Sequence, residues 1–348
     1  MVQGQELGNY RLHCRIGKAC GGSGEVWAGV SRDSADSKQP LTLRLCPLDS
    51  ATLPLDLIQN EIRMLRILRH PNILACFGSF VHQDSVVIVT PLQDYGSVTD
   101  LIHARYIFGL KEELCGLILS DVLSALSYIH SRDKIHRGVC ASHILLSSAQ
   151  GGRARLSGFR HATGLKRHGS RLSRLHEFGP SFMDSLLWLA PEVLAQNVEG
   201  YDALADAYAL GITTVEMANG FPPFTDMDHM QMMMEKLRGT VPRLLDTSTA
   251  GAPSPASEPA LHHSRTFSPA FHQFAEAALR PASCRSSVDE LLQHAFIKAV
   301  KKCKASINEL LQADGIKPIT LRPSSATVKK DEKLPSVEKL SLEDFWEF

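Results

Sequence analysis

The chain changes its hydrophobic rhythm at Pro91, and that change restricts its fold more than any other feature. Before Pro91, apolar residues come in short runs separated by glycine-rich turns. Residues 10–46 follow this pattern, and 74–80 and 85–90 continue it, with Val86, Val87, Ile88 and Val89 strongly β-forming. One stretch differs: over 54–69, Ile58, Ile62, Leu65 and Leu68 recur at helical spacing. After Pro91 the pattern is mostly helical. Leu114, Leu117, Ile118, Val122, Ala125, Leu126 and Ile129 form a stripe wide enough for a buried helix. Strands first and helices afterwards predict an α+β protein with a small β-rich N-terminal lobe and a large helical C-terminal lobe.

At 348 residues there is room for one two-lobed unit of roughly 250–300 residues and a tail. We expect a short lead at 1–9, the two-lobed domain at 10–297, a C-terminal helix at 298–314 and a flexible tail at 315–348. Within the helical lobe, 247–269 is rich in Ser, Pro, Ala and His and reads as a flexible insert. From Gly315 onward Pro, Ser, Lys and Glu dominate and periodicity fades. With 37 basic and 37 acidic residues, no global charge excess favours nucleic acid or an acidic membrane as partner. No uninterrupted apolar run approaches the ~18 residues of a membrane span, and residues 1–10 do not read as a signal peptide. The eight cysteines are scattered without a C-x-x-C, as expected for reduced thiols in cytoplasm or nucleus. His262 and His263 are adjacent in a polar linker with no third ligand nearby, so no metal site is expected there.

The motifs come in a fixed order. Residues 135–146 read Ile-His-Arg-Gly-Val-Cys-Ala-Ser-His-Ile-Leu-Leu. They resemble the protein-kinase catalytic loop, H-R-D-L-x-x-x-N, with two working positions replaced. Gly138 stands where the aspartate that accepts the substrate's hydroxyl proton belongs, and His143 where the Mg²⁺-holding asparagine belongs. Leu156-Ser157-Gly158-Phe159-Arg160 stands in place of D-F-G: Gly158 replaces the metal-binding aspartate and Arg160 the glycine. No carboxylate or amide then remains for a hard cation. Upstream, Gly17, Gly21 and Gly24 lie in a turn that resembles a phosphate-covering loop, with its spacing off by about two residues; a plain β-turn is the other reading. Arg44 sits where the phosphate-pairing lysine of the third strand belongs. It reads either as a solvated arginine or as an ion-pair strut to Glu61 on the next helix. Arg160 likewise reads as an ordinary loop arginine or as a cation that offsets phosphate charge. Ala190-Pro191-Glu192 is an A-P-E element, with Arg285 placed to pair with Glu192. Asp206 opens a helix suited to bracing the catalytic-loop backbone. The chain closes on Phe345-Trp346-Glu347-Phe348, an aromatic cluster after a polar stretch, as in a linear docking motif.

Taken with Tyr201-Asp202-Ala203, Gly211-Ile212-Thr213, Leu245-Asp246-Thr247-Ser248-Thr249 and the terminal Trp346-Glu347-Phe348, these segments resemble the STE-twenty-related adaptor (STRAD) pseudokinases from about Tyr10 to the last residue. The resemblance implies a two-lobed protein-kinase-like fold without catalysis. It implies an adaptor that binds and allosterically activates a serine/threonine kinase of the liver kinase B type, clamped by a helical-repeat scaffold of the Mo-twenty-five type. It also implies roles for particular residues: Tyr128, His176 and Phe178 toward the partner kinase, Trp346, Glu347 and Phe348 toward the scaffold, and Arg160 toward nucleotide phosphates. A nucleotide would be ATP without Mg²⁺. Two family lysines are absent, with Cys140 at one position and Asp184 at the other, which predicts weakened ATP binding. Two other readings stand beside the adaptor: an ATP-sensing module, and an atypical active kinase in which Lys18 and His143 supply substitute groups.

Overall fold

The computed structural model describes residues 6–19, 24–32, 39–49, 53–167, 170–178, 185–249, 265–303 and 305–320. The N-terminal lobe is a six-stranded antiparallel sheet in the order β1-β2-β3-β4-β6-β5. Its strands are β1 (Glu6–Leu7), β2 (Tyr10–Ala19), β3 (Gly24–Ser31), β4 (Leu41–Pro47), β5 (Gly78–His82) and β6 (Ser85–Pro91). The β-branched run Val86–Val89 lies in β6, next to β4, and is buried on both faces of the sheet. Val87 and Val89 pack with Leu7, Leu12, Leu41 and Leu43 in a small outer core, while Val86 and Ile88 join the main core. The helical stretch expected at 54–69 is α1 (Leu55–Ile67), which buries Ile58, Glu61, Met64 and Leu65.

Beyond Pro91 come the short strand β7 (Gly96–Ser97), α2 (Val98–Arg105) and α3 (Glu112–Ser131). Helix α3 is long and apolar enough to pass for a membrane span, yet here it is the buried axis of the lower lobe. Four short strands follow: β8 (Lys134–Ile135), β9 (Ile144–Ser147), β10 (Arg153–Leu156) and β11 (Thr163–Gly164). Strands β9 and β10 form the hairpin that carries the two altered motifs. After a short strand pair, Lys166–Arg167 with Ser170–Arg171, the elements are helical: α4 (Pro191–Leu194), α5 (Leu204–Asn219), α6 (His229–Leu237), α7 (Pro269–Leu279), α8 (Val288–Leu292), α9 (Ala295–Lys302) and α10 (Ile307–Ala313). From Ala205 to Asn219 every residue of α5 is buried.

Three expectations about segments need correction. The helix expected at 298–314 is two helices, because the chain turns extended at Cys303 and Ser306 opens α10 with its own capping box. The insert expected at 247–269 is pinned at both ends: Thr247 N–H donates to Arg265 O, Phe267 is buried, and Asp246 accepts from Phe267 N–H. Residues 250–264 lie outside the described residues. The tail expected from 315 does not begin there, since Ile316 and Ile319 are hydrogen-bonded to the body.

Candidate functional site

Within the N-terminal lobe, sheet and helix are joined by an ion pair. Arg44 on β4 and Glu61 on α1 approach to 2.6 Å, with Glu61 almost wholly buried. Burial opposes charge on Glu61, but the charge and hydrogen bond of Arg44, with Arg160 nearby, outweigh it and hold the carboxyl below its ordinary range. Of the two readings of Arg44, the strut is the one realised. Asn60, one residue before, donates to the carbonyls of Arg160 and Ala162 at 2.9 and 2.8 Å. Helix α1 is thereby tied both to the sheet and to the segment after Phe159.

Within the helical lobe the corresponding brace is Asp206, at the start of α5. Its carboxylate accepts from the backbone N–H groups of His136 and Arg137 and from His130 Nε2, each at 2.8 Å. Burial opposes its charge, and His130 and the other donors overcome this, so Asp206 stays ionised below the usual carboxylate range. Arg137 is held with a positive φ of 61° by these bonds. His136 donates from Nε2 to Ser157 O at 2.9 Å, accepts from Gly138 N–H at Nδ1, and meets Phe159 edge-on. Burial pushes its pKa down to about 4, so the ring is neutral at pH 7.

Within this frame the working positions differ sharply. A Cβ at Gly138 would meet nothing closer than 3.5 Å, so a side chain has room there. Gly158 has φ +77°, and a Cβ on it would stand 2.4 Å from His143 Cγ. The imidazole of His143 fills the space into which a side chain at 158 would project. His143 Nδ1 donates to Gly138 O at 2.6 Å, which leaves the Nε2 lone pair facing Arg160 Nη2 at 3.4 Å. Burial and the Arg160 charge lower the His143 pKa to about 4. Its one free lone pair is turned to a cation, a poor arrangement for a metal ligand. Among the described residues no cluster of three His, Cys, Asp or Glu is arranged to hold a metal ion. Arg160 is turned toward His143 and Glu61, while Arg44 and Glu61 are the charged residues that line the cleft between the lobes. Ile16, Val26, Ile88 and Leu145 are the apolar part of that cleft's lining. Gly17 and Gly24 lie above it in the β2–β3 hairpin, paired with Val26 and Ala19, and Gly21 lies outside the described residues.

The protein kinase domain model matches residues 10–297. STE20-related kinase adapter protein alpha of Gallus gallus is 38 % identical over 294 residues, covering 76 % of this chain and 75 % of that protein. The chain belongs to the protein kinase domain family and, within it, to the STE20-related kinase adapter proteins. The alpha protein of Mus musculus is 38 % identical over 289 residues, 75 % of this chain, and the beta protein of Homo sapiens 33 % identical over 274 residues, 70 % of this chain. The chain spans 66 % of the mouse protein's length and 65 % of the human beta protein's, about two thirds in each case.

The adapter-type positions are not gathered in one place. His176 and Phe178 stand together: His176 Nε2 bonds Val198 O at 2.9 Å, and Phe178 packs on Tyr201 with ring centroids 5.6 Å apart. Tyr128 lies elsewhere, on α3, accepting from Arg69 N–H and stacked between His70 and Arg132. The segment bearing His176 is anchored by Leu175, which exchanges two backbone hydrogen bonds with Tyr201. Arg137 reaches Tyr201 Oη at 2.9 Å, and Arg174 pairs with Asp202 at 3.2 Å. Glu192 and the buried Arg285 form a two-pronged pair that also bonds Leu204 O. Cys140 is buried beside Ser142 and His143, and burial pushes its thiol up, so this position supplies no cation. Asp184, Trp346, Glu347 and Phe348 lie outside the described residues.

Two residues escaped the sequence reading. Glu216 is buried in α5, accepts from Trp188 Nε1 at 2.9 Å, and is pushed up to about 8 by burial, so it is protonated at neutral pH. Lys236 is buried under Tyr208 and Phe224 and donates to the carbonyls of Leu187 and Leu189. The one signal available was a charged residue inside an apolar helical run, and it does not say what the charge faces.

The neutral, buried His143 has a measurable consequence. Its folded pKa lies below the free value of 6.5, so between pH 6.5 and about 4 the unfolded chain binds the proton first. The stabilising effect is complete above pH 6.5 and fades as pH falls toward 4. Glu216 and Asp100, whose folded values are raised, act in the opposite sense in parts of this window. We therefore expect the difference between parent and His143→Asn to carry the signal. Across pH 6.5–4 the stability of the variant should fall less steeply, by up to about 1.4 kcal/mol per pH unit. Denaturant melts at four pH values read this directly, and parallel curves would exclude a buried neutral His143.

Proposed function

We propose that this chain is a catalytically inactive adaptor that binds a serine/threonine kinase of the liver kinase B type and shifts it to its active state, in a complex with a helical-repeat scaffold of the Mo-twenty-five type. One observation supports the reading: among the described residues the bracing contacts of a kinase frame are present while its working groups are replaced. The Arg44–Glu61 pair, the Asp206-braced loop and the Tyr201-anchored segment hold a closed form. The base position is Gly138, and the metal positions are His143 and Gly158. Phosphoryl transfer needs the metal as well as the base, each worth several powers of ten in rate. An active kinase built on Lys18 and His143 finds little support, because His143 is neutral and spent on Gly138 and Arg160.

On this reading activation is differential binding: the rigid closed form offers one surface, and the partner's active state fits it better. His176 and Phe178 contribute to that surface, and Trp346, Glu347 and Phe348 dock the scaffold independently of the body. Any nucleotide is ATP held without Mg²⁺, weakly, since Cys140 and Asp184 supply no positive charge. The assembly works in cytoplasm and nucleus.

The experiment mixes purified chain, partner kinase and scaffold and measures phosphorylation of a partner substrate. The chain alone should show none above background, and the mixture should exceed the partner alone by tenfold or more. Trp346→Ala with Phe348→Ala should lower scaffold affinity more than tenfold, as loss of buried interface aromatics commonly does. Phosphorylation by the chain alone, or a partner indifferent to its presence, would sink the reading.

A further inference from the structure

The C-terminal segment after α10 does not leave the body where the helix ends. Gly315, at φ +77°, turns the chain, and Ile316 N–H closes onto Leu311 O at 2.9 Å. Asp314 is held by Tyr106 Oη at 2.6 Å and Lys111 Nζ at 2.5 Å. Helix α10 is itself fixed, with Ile307 and Leu311 in the core and Asn308 accepting from Tyr95 Oη at 2.5 Å. Four residues after the turn, Ile319 N–H donates to Asp94 O at 2.8 Å. Asp94 belongs to the link between β6 and β7, which joins the lobes, and its carboxylate accepts from Ser148 N–H at 2.7 Å. The side chain of Ile319 then stands in the wall of the interlobe cleft, with Gln93 and Gly96. Pro318 immediately precedes it. Proline fixes its own φ and disfavours helix at Lys317, so the strand of chain reaching the cleft is pre-extended and little entropy is lost in seating it.

Ile319 is one lining residue beside those contributed by both lobes, so the segment borders the cleft. The same cleft is lined by the apolar Ile16, Val26, Ile88 and Leu145, with Arg44 and Glu61 as its charged residues. Such a slot suits a flat aromatic heterocycle, whose two faces need apolar cover. We propose that residues 314–319 form a strap whose Ile319 completes the outer wall of the cleft, so that a purine base and the seated strap bind cooperatively. This rests on the reading of the cleft as a nucleotide site. Linkage then requires the reverse effect: a purine nucleotide in the cleft holds the strap against Asp94.

The test uses the full chain and ATP with EDTA in place of Mg²⁺, followed by calorimetry. Ile319→Ala removes most of the apolar wall that the strap supplies, and we expect about tenfold weaker binding. Melting of the unliganded variant should match the parent, because Ile319 is only half-buried. Ile319→Leu should restore most of the affinity. In hydrogen exchange, the Ile319 amide should slow when ATP is added to the parent. If the parent binds no ATP at millimolar concentration, the nucleotide reading fails and the proposal falls with it. If the parent binds and Ile319→Ala binds equally well, the nucleotide site stands and the strap alone is refuted.

Discussion

Asp206→Ala should lower the melting temperature by about 6–20 °C. The carboxylate satisfies three donors, and its side chain is 1 % exposed. Two of the donors are backbone N–H groups, of His136 and Arg137, and nothing in an alanine replaces their acceptor. Each buried donor left without a partner costs about 1–3 kcal/mol, so a total of about 3–5 kcal/mol is expected, out of a stability of about 5–15 kcal/mol. At roughly 2–4 °C per kcal/mol for a domain of this size, the shift is easily read by calorimetry. Arg137, strained at positive φ, should relax, and with it the contact to Tyr201. Asp206→Asn keeps one acceptor oxygen and should cost less. Acid should mimic the substitution: the folded pKa is depressed, so the stabilisation is present above the free carboxylate value of 3.8 and is lost as pH falls below it. A variant that melts within 2 °C of the parent would show that Asp206 does not brace the loop.

Gly158→Asp, the substitution that would restore the metal-binding aspartate, should damage the fold without bringing metal binding. The new Cβ would lie 2.4 Å from His143 Cγ, inside any tolerable contact. Overpacking of a buried site costs about 1–3 kcal/mol, and a left-handed non-glycine residue adds about 1 kcal/mol more. We expect a loss of about 2–4 kcal/mol. The double change Gly158→Asp with His143→Asn vacates the ring's volume and should recover most of it. The test is a double-mutant cycle on melting, with Mg²⁺ added to each form. Strict additivity of the two changes would mean the ring and the new side chain do not compete for one space. The two positions differ in packing: a Cβ at 138 would meet nothing closer than 3.5 Å, while 158 is closed by its neighbour from the catalytic loop.

Much of this was legible in the linear chain, for a physical reason. Hydrophobic period records which face of a segment is buried, so the alternation before Pro91 and the stripe over 114–129 gave the β-rich and helical lobes. Arg44 with Glu61 and Glu192 with Arg285 were also readable. Arg44, Glu61 and Glu192 each sit at a fixed place on a regular element and Arg285 in the link between α7 and α8, and the two-lobed architecture decides which of these meet. The replacements at Gly138, His143 and Gly158 are facts of sequence alone.

What the tertiary structure decided is how the emptied places are used. Residues 143 and 158 flank a hairpin, one just before β9 and the other just after β10, and only their packing puts the imidazole where a side chain at 158 would go. Arg160 reads in the sequence as a loop arginine or as a phosphate-facing cation, and its guanidinium here lies beside His143, with its charge felt by the buried Glu61. Ile319 lies beyond the last periodic segment, where composition suggested a loose tail. Its place in the cleft depends on a helix-ending turn and on one carbonyl, Asp94 O, more than 200 residues earlier in the chain. Periodicity is a property of neighbours along the chain. Which side chain fills a void is settled by segments that meet only after folding, and their sequence separation carries no trace of the meeting.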